Sequence, residues 1–229
     1  MRHIGKKLQA ARKLVDKDRI YELSEAIDLA IKSSYSKFAG SIDLAFKLNL
    51  DTRKADQQLR GAVTLPNGTG KNVRVLVATD NPALKEASIA SGADIVVDSL
   101  ELETIIKEDK FNFDVMVAEP KMMPLLGKYG KKLGPKGLMP NPKTGTVTPM
   151  PQKAVEELKK GKANYRTDKN GIIHSLIGKA TMSVEQLTEN AKTLITLIKK
   201  LKPAAVKGTY IQNLTVSATM GPSVKIKID

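Results

Sequence analysis

The sequence predicts an α/β protein of two domains. One is an α+β domain assembled from both chain ends, residues 1–68 plus 159–229; the other is a Rossmann-like three-layer αβα domain, residues 69–158, inserted into it. Three observations carry this reading. The first is the partition of charge. The chain has 229 residues with 38 Lys+Arg against 24 Asp+Glu, a net +14, yet residues 69–158 hold 12 of each and are neutral. The excess lies wholly in the terminal pieces, +5 before residue 69 and +9 after 158. The second is that short continuous apolar runs alternate with helical patterns only in the middle. The third is that period-two alternation, the mark of a strand with one buried face, occurs only near the ends. Insertion of one domain into a surface loop of another is tolerated where the two junctions lie close together.

Taken in order, residues 3–16 and 24–34 show amphipathic helical spacing. SIDLAFKLNL (41–50) alternates cleanly, with Ile42, Leu44, Phe46, Leu48 and Leu50 on one face. Pro66-Asn67-Gly68-Thr69-Gly70 is a turn-rich boundary. Within the insert, NVRVLVA (72–78), ADIVVD (93–98) and FDVMVAEP (113–120) read as buried parallel strands. Between them lie a helix from Asn81-Pro82 to Gly92 and a second in SLELETIIKED. Residues 120–155 contain seven Lys, seven Pro, five Gly and no acid among them, a composition that predicts an ordered, basic, non-helical loop. The helix PQKAVEELKKGK leads out of the insert near Lys159. Residues 183–201 form a long amphipathic helix with Ser183 as N-cap and Pro203 beyond its end. In YIQNLTVSATM, Tyr210, Leu214, Val216 and Ala218 make one face with Gln212 as an exception; Ile211, Asn213, Thr215, Ser217 and Thr219 make the other.

Composition excludes several classes. With no cysteine there is no disulfide, thiolate metal site or cysteine nucleophile. No run of about 18 apolar residues exists, and the N-terminus lacks the apolar segment of a secretory signal, so a cytoplasmic chain with no membrane partner is expected. A nucleotide site would need a glycine-rich turn after the first parallel strand, but Ala78-Thr79-Asp80-Asn81-Pro82 follows it. Gly68-Thr69-Gly70-Lys71 precedes that strand and has Asn72 where a magnesium-binding hydroxyl would stand. An enzyme needs converging titratable groups. The chain offers only His3 and His174, with no triad or His/Glu metal spacing, so neither catalysis nor a cofactor is expected. A DNA-binding repressor would need a helix-turn-helix with a basic recognition face, and none is found. A pI near 9.8 points to a polyanionic partner.

Three features bear on that partner. Asn213, Thr215, Ser217 and Thr219 are short uncharged hydrogen-bonding side chains in a strongly basic domain. They are either an ordinary solvated strand face or a surface that bonds 2′-hydroxyls and phosphate oxygens. Their strand runs into Met220-Gly221-Pro222-Ser223, a tight turn in which Met220 could pack on a sugar or base. Phe38, flanked by Lys37 and Gly40, is either a staple on its own domain or an aromatic platform beside a cation. The lysines of 120–155 either neutralise phosphates or balance residues 69–119, whose net charge is −5.

KYGKKLGPKGLMPNPKTGTV closely resembles the signature of the bacterial L-one family of large-ribosomal-subunit proteins, and DQQLRGAVTLPNGTGK (56–71), FDVMVAEPKMM (113–123) and TMGPSVKI (219–226) resemble further segments of it in the family's order. The resemblance implies two domains joined by a hinge, which would fall at Gly68, Gly70, Lys159 and Gly161. It implies that a free monomer binds large-subunit rRNA at the mobile stalk, contacts exit-site tRNA, and represses its own operon by binding the mRNA leader. The RNA contacts it implies are Phe38 and Thr219-Met220-Gly221, with Lys37, Ser41, Asp43 and Asn213 beside them; Thr215 and Ser217 continue the same face. Ser41 and Asp43 are shorter than the family's usual Thr and Glu, and Asn213 replaces a hydroxyl residue. The tRNA-facing candidates are Lys128, Lys131, Lys132 and Lys136.

Overall fold

The computed structural model describes residues 5–204 and 206–228, so His3 lies outside the described residues. The chain divides into two compact units, Met1–Lys71 with Ala163–Asp229, and Asn72–Lys162. Both crossings fall a few residues later than the charge partition suggests, for a packing reason. Asn67 and Gly68 are hydrogen-bonded to Asn190 of the terminal unit, whereas Lys159 is bonded to Val73 O and Asp94 of the inserted unit.

In the terminal unit, α1 (Lys6–Lys13) and α2 (Leu23–Lys32) precede β1 (Ser41–Leu48). After β2 (Arg60–Thr64) the chain leaves for the insert and returns as β6 (Lys162–Arg166) and β7 (Ile172–Lys179). It ends in α8 (Val184–Lys200), β8 (Ile211–Ala218) and β9 (Ser223–Lys225). The sheet order is β7-β1-β8-β9, all antiparallel, with β2 paired to β6 separately. Ser183 is the N-cap of α8 as predicted, and Gln186 completes a reciprocal cap with it. Period-two alternation has the expected consequence: Ile42, Leu44, Phe46, Leu214 and Val216 are buried against α2 and α8. This is why β1 and β8 have a second, more open face.

The Gln212 exception has a structural cause. Lys47 pairs with Asn213 but Leu48 pairs with Ile211, so Gln212 is the extra residue of a β-bulge. The bulge turns Ile211 into the core, not onto the face with Asn213 where simple alternation places it.

The inserted unit has a parallel sheet in the order β4-β3-β5: β3 (Val75–Ala78), β4 (Ile95–Val97) and β5 (Val115–Ala118). Its helices are α3 (Pro82–Ala90), α4 (Ser99–Lys107), α5 (Met123–Lys128), α6 (Gly130–Leu133) and α7 (Pro151–Lys159). Leu76, Ala78 and Met116 pack against α4, α5 and α6, while Val75, Val77 and Val117 pack against α7. The three-layer αβα arrangement and the α/β fold class therefore agree with expectation.

Residues 120–155 do not. The predicted non-helical loop contains α5, α6, the start of α7 and short 3₁₀ turns at Pro120–Met122 and Pro142–Thr144. Four of its seven prolines, Pro120, Pro124, Pro142 and Pro151, sit in first turns, where no intrahelical N–H bond is lost. Leu126 and Leu133, both fully buried, anchor the segment to the core.

Candidate nucleic-acid interface

The antiparallel register assembles the half-open face of the terminal sheet row by row. Ala45 lies between His174 and Thr215, and Thr215 faces Lys225. Asp43 lies between Leu176 and Ser217, and Ser217 faces Ser223. Lys47 faces Asn213. At the end of the sheet, Ser41 pairs with Lys179 and is bonded to Thr219. The sequence-predicted residues Ser41, Asp43, Asn213, Thr215, Ser217 and Thr219 thus share one continuous surface. All but Thr219, which is exposed, are partly exposed. A groove of about 450 Å³ borders it, lined by Arg12, Lys17, Asn213, Thr215, Ser223 and Lys225.

Thr219 is more constrained than its place on an exposed strand end suggests. Its hydroxyl accepts from Ser41 N at 2.9 Å and donates to Ser41 O at 3.1 Å, and its own N–H donates to Ser41 O at 3.0 Å. The hydroxyl proton is spent inside the fold, leaving one acceptor lone pair outward. Thr219 therefore fixes the turn against β1. Met220 beyond it is 40% exposed. Gly221 is bonded through its N–H to Ala218 O at 3.1 Å. A Cβ at Gly221 would meet Ala218 and Ser33 at 3.5 Å, ordinary contact, and its φ is not in the left-handed region. Nothing inside the fold demands a glycine there.

Phe38 is 60% exposed, with its carbonyl held by the Ser36 hydroxyl at 2.9 Å, so it does not act as a staple on its own domain. Lys37 beside it is exposed and makes no ion pair among the described residues. Gly40, at the end of this turn, accepts from Ala180 N at 2.8 Å, and its Cα faces Thr219. The Phe38 turn and the 219–221 turn are therefore joined at one end of the sheet through Gly40 and Ser41.

Asp43 is the acid on this face. Burial pushes its carboxyl above the usual carboxylate range, and the nearby His174 pulls it partly back. Because the folded state holds the proton more tightly than the unfolded chain, the protonated group favours folding below the unfolded pKa, and that advantage is lost as pH rises through the folded value. Asp43→Asn should therefore gain stability over the parent as pH rises from about 4 toward 7, with no such gain below about 4. Urea unfolding at several pH values measures this; a gain that grows on acidification would contradict it.

The four candidate lysines of the inserted unit divide into two pairs. Lys132 donates to Ile106 O and Lys107 O at the end of α4, at 3.2 and 3.4 Å, and pairs with Asp109 at 3.3 Å. Lys136 pairs with Asp109 at 3.8 Å and sits 4.0 Å from the Phe111 ring centroid. These two balance a single acid of their own unit, Asp109. Lys128 and Lys131 are exposed and form no ion pair among the described residues. Of the hinge candidates, Gly68 and Gly70 have φ of 66° and 65° and Gly161 has 95°, conformations that favour glycine.

Sequence reading missed Asn190. It is fully buried in α8, donates to Gly68 O at 2.9 Å and Ile177 O at 2.8 Å, and accepts from Asn67 N at 3.1 Å. The signal was present: a polar residue among Leu187, Ala191, Leu194 and Ile198, the buried stripe of the helix.

Residues 30–222 match the model of the ribosomal protein L1p/L10e family. The chain belongs to that family. It is 71% identical over 229 residues to the large ribosomal subunit protein uL1 of Mycoplasmopsis pulmonis, covering 100% of both chains. It is 67% identical to uL1 of Mycoplasmopsis synoviae over 99% of this chain and 98% of that one. Identity to uL1 of Mesomycoplasma hyopneumoniae strain 232 is 66%, over 100% and 99%. The family match spans the Phe38 turn, the polar sheet face, the whole insert and the 219–221 turn.

Proposed function

We propose that this protein is a structural RNA-binding component of the large ribosomal subunit, acting in the cytoplasm, that holds the stalk rRNA on its terminal unit. The observation that carries this is the continuous polar face of β1 and β8 ending at an exposed Phe38 and a glycine turn that the fold itself does not require. Recognition is by shape. Hydroxyl, amide and carboxylate groups from Ser41, Asp43, Asn213, Thr215 and Ser217 meet 2′-hydroxyls and phosphate oxygens in an RNA minor groove or irregular loop. Phe38 stacks on a base or ribose, Lys37 meets a phosphate, and Met220 packs on a sugar. The bare Cα of Gly221 lets RNA backbone come close.

The same surface serves a second RNA in this reading. A protein not occupied by rRNA binds the leader of its own mRNA as a monomer, so repression is competition for one site. The inserted unit contacts exit-site tRNA through Lys128 and Lys131, the two of the four candidate lysines without an ion pair among the described residues, with Lys132 and Lys136 adding field from positions tied to Asp109. Gly70 and Gly161, next to the two chain crossings, supply the hinge, with Gly68 and Lys159 anchoring each strand of it.

Gly221→Ala separates this reading from an ordinary solvated turn. Folding stability should change by less than about 0.5 kcal/mol, since the new methyl meets only ordinary contacts. Affinity for the stalk rRNA, and for the leader mRNA by the same factor, should fall about tenfold or more. Undiminished affinity for both RNAs would place the interface elsewhere.

A further inference from the structure

The positive charge of the terminal unit is not concentrated where the proposed recognition surface ends. Segments 33–43, 176–182 and 217–225, at the Phe38 end of the sheet, contain three basic residues and one acid. Segments 47–57, 166–171 and 199–209 contain nine basic residues and three acids. These belong to the opposite end, where β1 finishes and β7 and β8 begin. The α8 helix starts just after β7 ends, and its 17 residues, at about 1.5 Å each, run back along the eight-residue strands to that same end. Hydrogen bonds tie the three segments together: Asn49 Nδ2 to Lys207 O at 3.5 Å, Leu48 N to Gly171 O at 3.0 Å, and Thr52 Oγ1 to Lys169 O at 2.8 Å.

The chemistry of this pole is specific. The ammonium groups of Lys54, Lys169, Lys200 and Lys207 make no ion pair or hydrogen bond among the described residues. Two of the acids are occupied locally, Asp51 by Arg53 N and Asp168 by Asn170 N and Ile172 N, so they shape the loops without pairing with those lysines. Leu201 is the single large exposed apolar side chain among the described residues of these segments. A protein interface needs buried apolar anchors, whereas a surface of free cations on polar loops suits phosphate.

We propose that this pole is a second RNA-contacting surface, which holds the phosphate backbone of a further segment of the same RNA about 25 Å from the Phe38 end, the span of an eight-residue strand. It rests on the reading that the Phe38 end binds rRNA. One end recognises, the other clamps without sequence preference. The RNA it fits is a folded one whose backbone passes both ends.

The test replaces Lys54, Lys169, Lys200 and Lys207 by glutamine in the full chain. Binding is measured across salt to the transcribed stalk domain of large-subunit rRNA and to a trimmed fragment that reaches only the Phe38 end. On the long RNA the slope of log affinity against log salt should fall by about 3, at about 0.7–0.9 for each phosphate no longer neutralised. On the trimmed RNA it should stay unchanged. The four-arginine variant should keep the long-RNA slope, and urea midpoints should match the parent. An unchanged slope on the long RNA overturns the second surface. Equal losses on both RNAs overturn it too, since they mean diffuse attraction without a distinct contact. Phe38→Ala, run beside these, fails independently: if it binds the trimmed RNA like the parent, the recognition end is misassigned, whatever the lysines do.

Discussion

Asn190→Leu should destabilise the terminal unit by about 3 kcal/mol while leaving the shape of the side chain nearly filled. The amide of Asn190 satisfies three backbone groups at once, Gly68 O, Ile177 O and Asn67 N, from a fully buried position. Leucine removes all three partners without providing others. A buried group left without a partner costs about 1–3 kcal/mol, and at least one of these, Ile177 O, is in the buried sheet. In urea unfolding the midpoint should fall with the slope held. The segment 65–70 should also lose protection from amide exchange, because Asn190 is what clips it to α8. A loss under about 1 kcal/mol would mean that water replaces the amide there.

Phe38→Ala should do the reverse: stability within about 0.5 kcal/mol of the parent, and rRNA affinity lower by roughly 5- to 150-fold. The ring is 60% exposed, so little packing is lost on truncation. Base–aromatic stacking contributes about 1–3 kcal/mol per base, which sets the range in affinity. Filter binding or fluorescence anisotropy with the stalk rRNA reads it, and Phe38→Tyr should retain most of the binding. An affinity equal to the parent's would assign the exposed ring no part in RNA contact.

Much of this fold was legible because it follows from local periodicity. Alternation in SIDLAFKL and in LTVSA located β1 and β8 and the polar side chains between their apolar ones. Continuous apolar runs located β3, β4 and β5. What was not legible depends on partners distant in sequence. The bulge at Gln212 exists because Leu48 pairs with Ile211, a register choice made between strands more than a hundred residues apart. The helical turns in 120–155 were hidden because proline was read as a breaker, whereas Pro120, Pro124, Pro142 and Pro151 each occupy a first turn and buried Leu126 and Leu133 supply the anchoring.

The site divides in the same way. Residue types on a strand face were readable as a surface, and Phe38 as an aromatic next to a cation. Thr219 was not readable as a residue whose proton is already committed to Ser41, nor Lys132 as a cap on α4. Those are contacts across 178 and 26 residues of chain. Net charge was informative about the domain and not about where on it the cations lie, since the segments at the end opposite Phe38 hold nine basic residues and those beside Phe38 hold three.

The central claim is that charge draws RNA to the terminal unit while the uncharged face and its two turns recognise it. The most direct measurement is the affinity of the parent and of Phe38→Ala/Gly221→Ala for the stalk rRNA between about 0.05 and 0.3 M salt. Removing recognition without removing phosphate contacts predicts two parallel lines in log affinity against log salt, the variant lower at every point. Lines that coincide, or a variant whose slope collapses while its low-salt affinity stays at the parent's level, would contradict it.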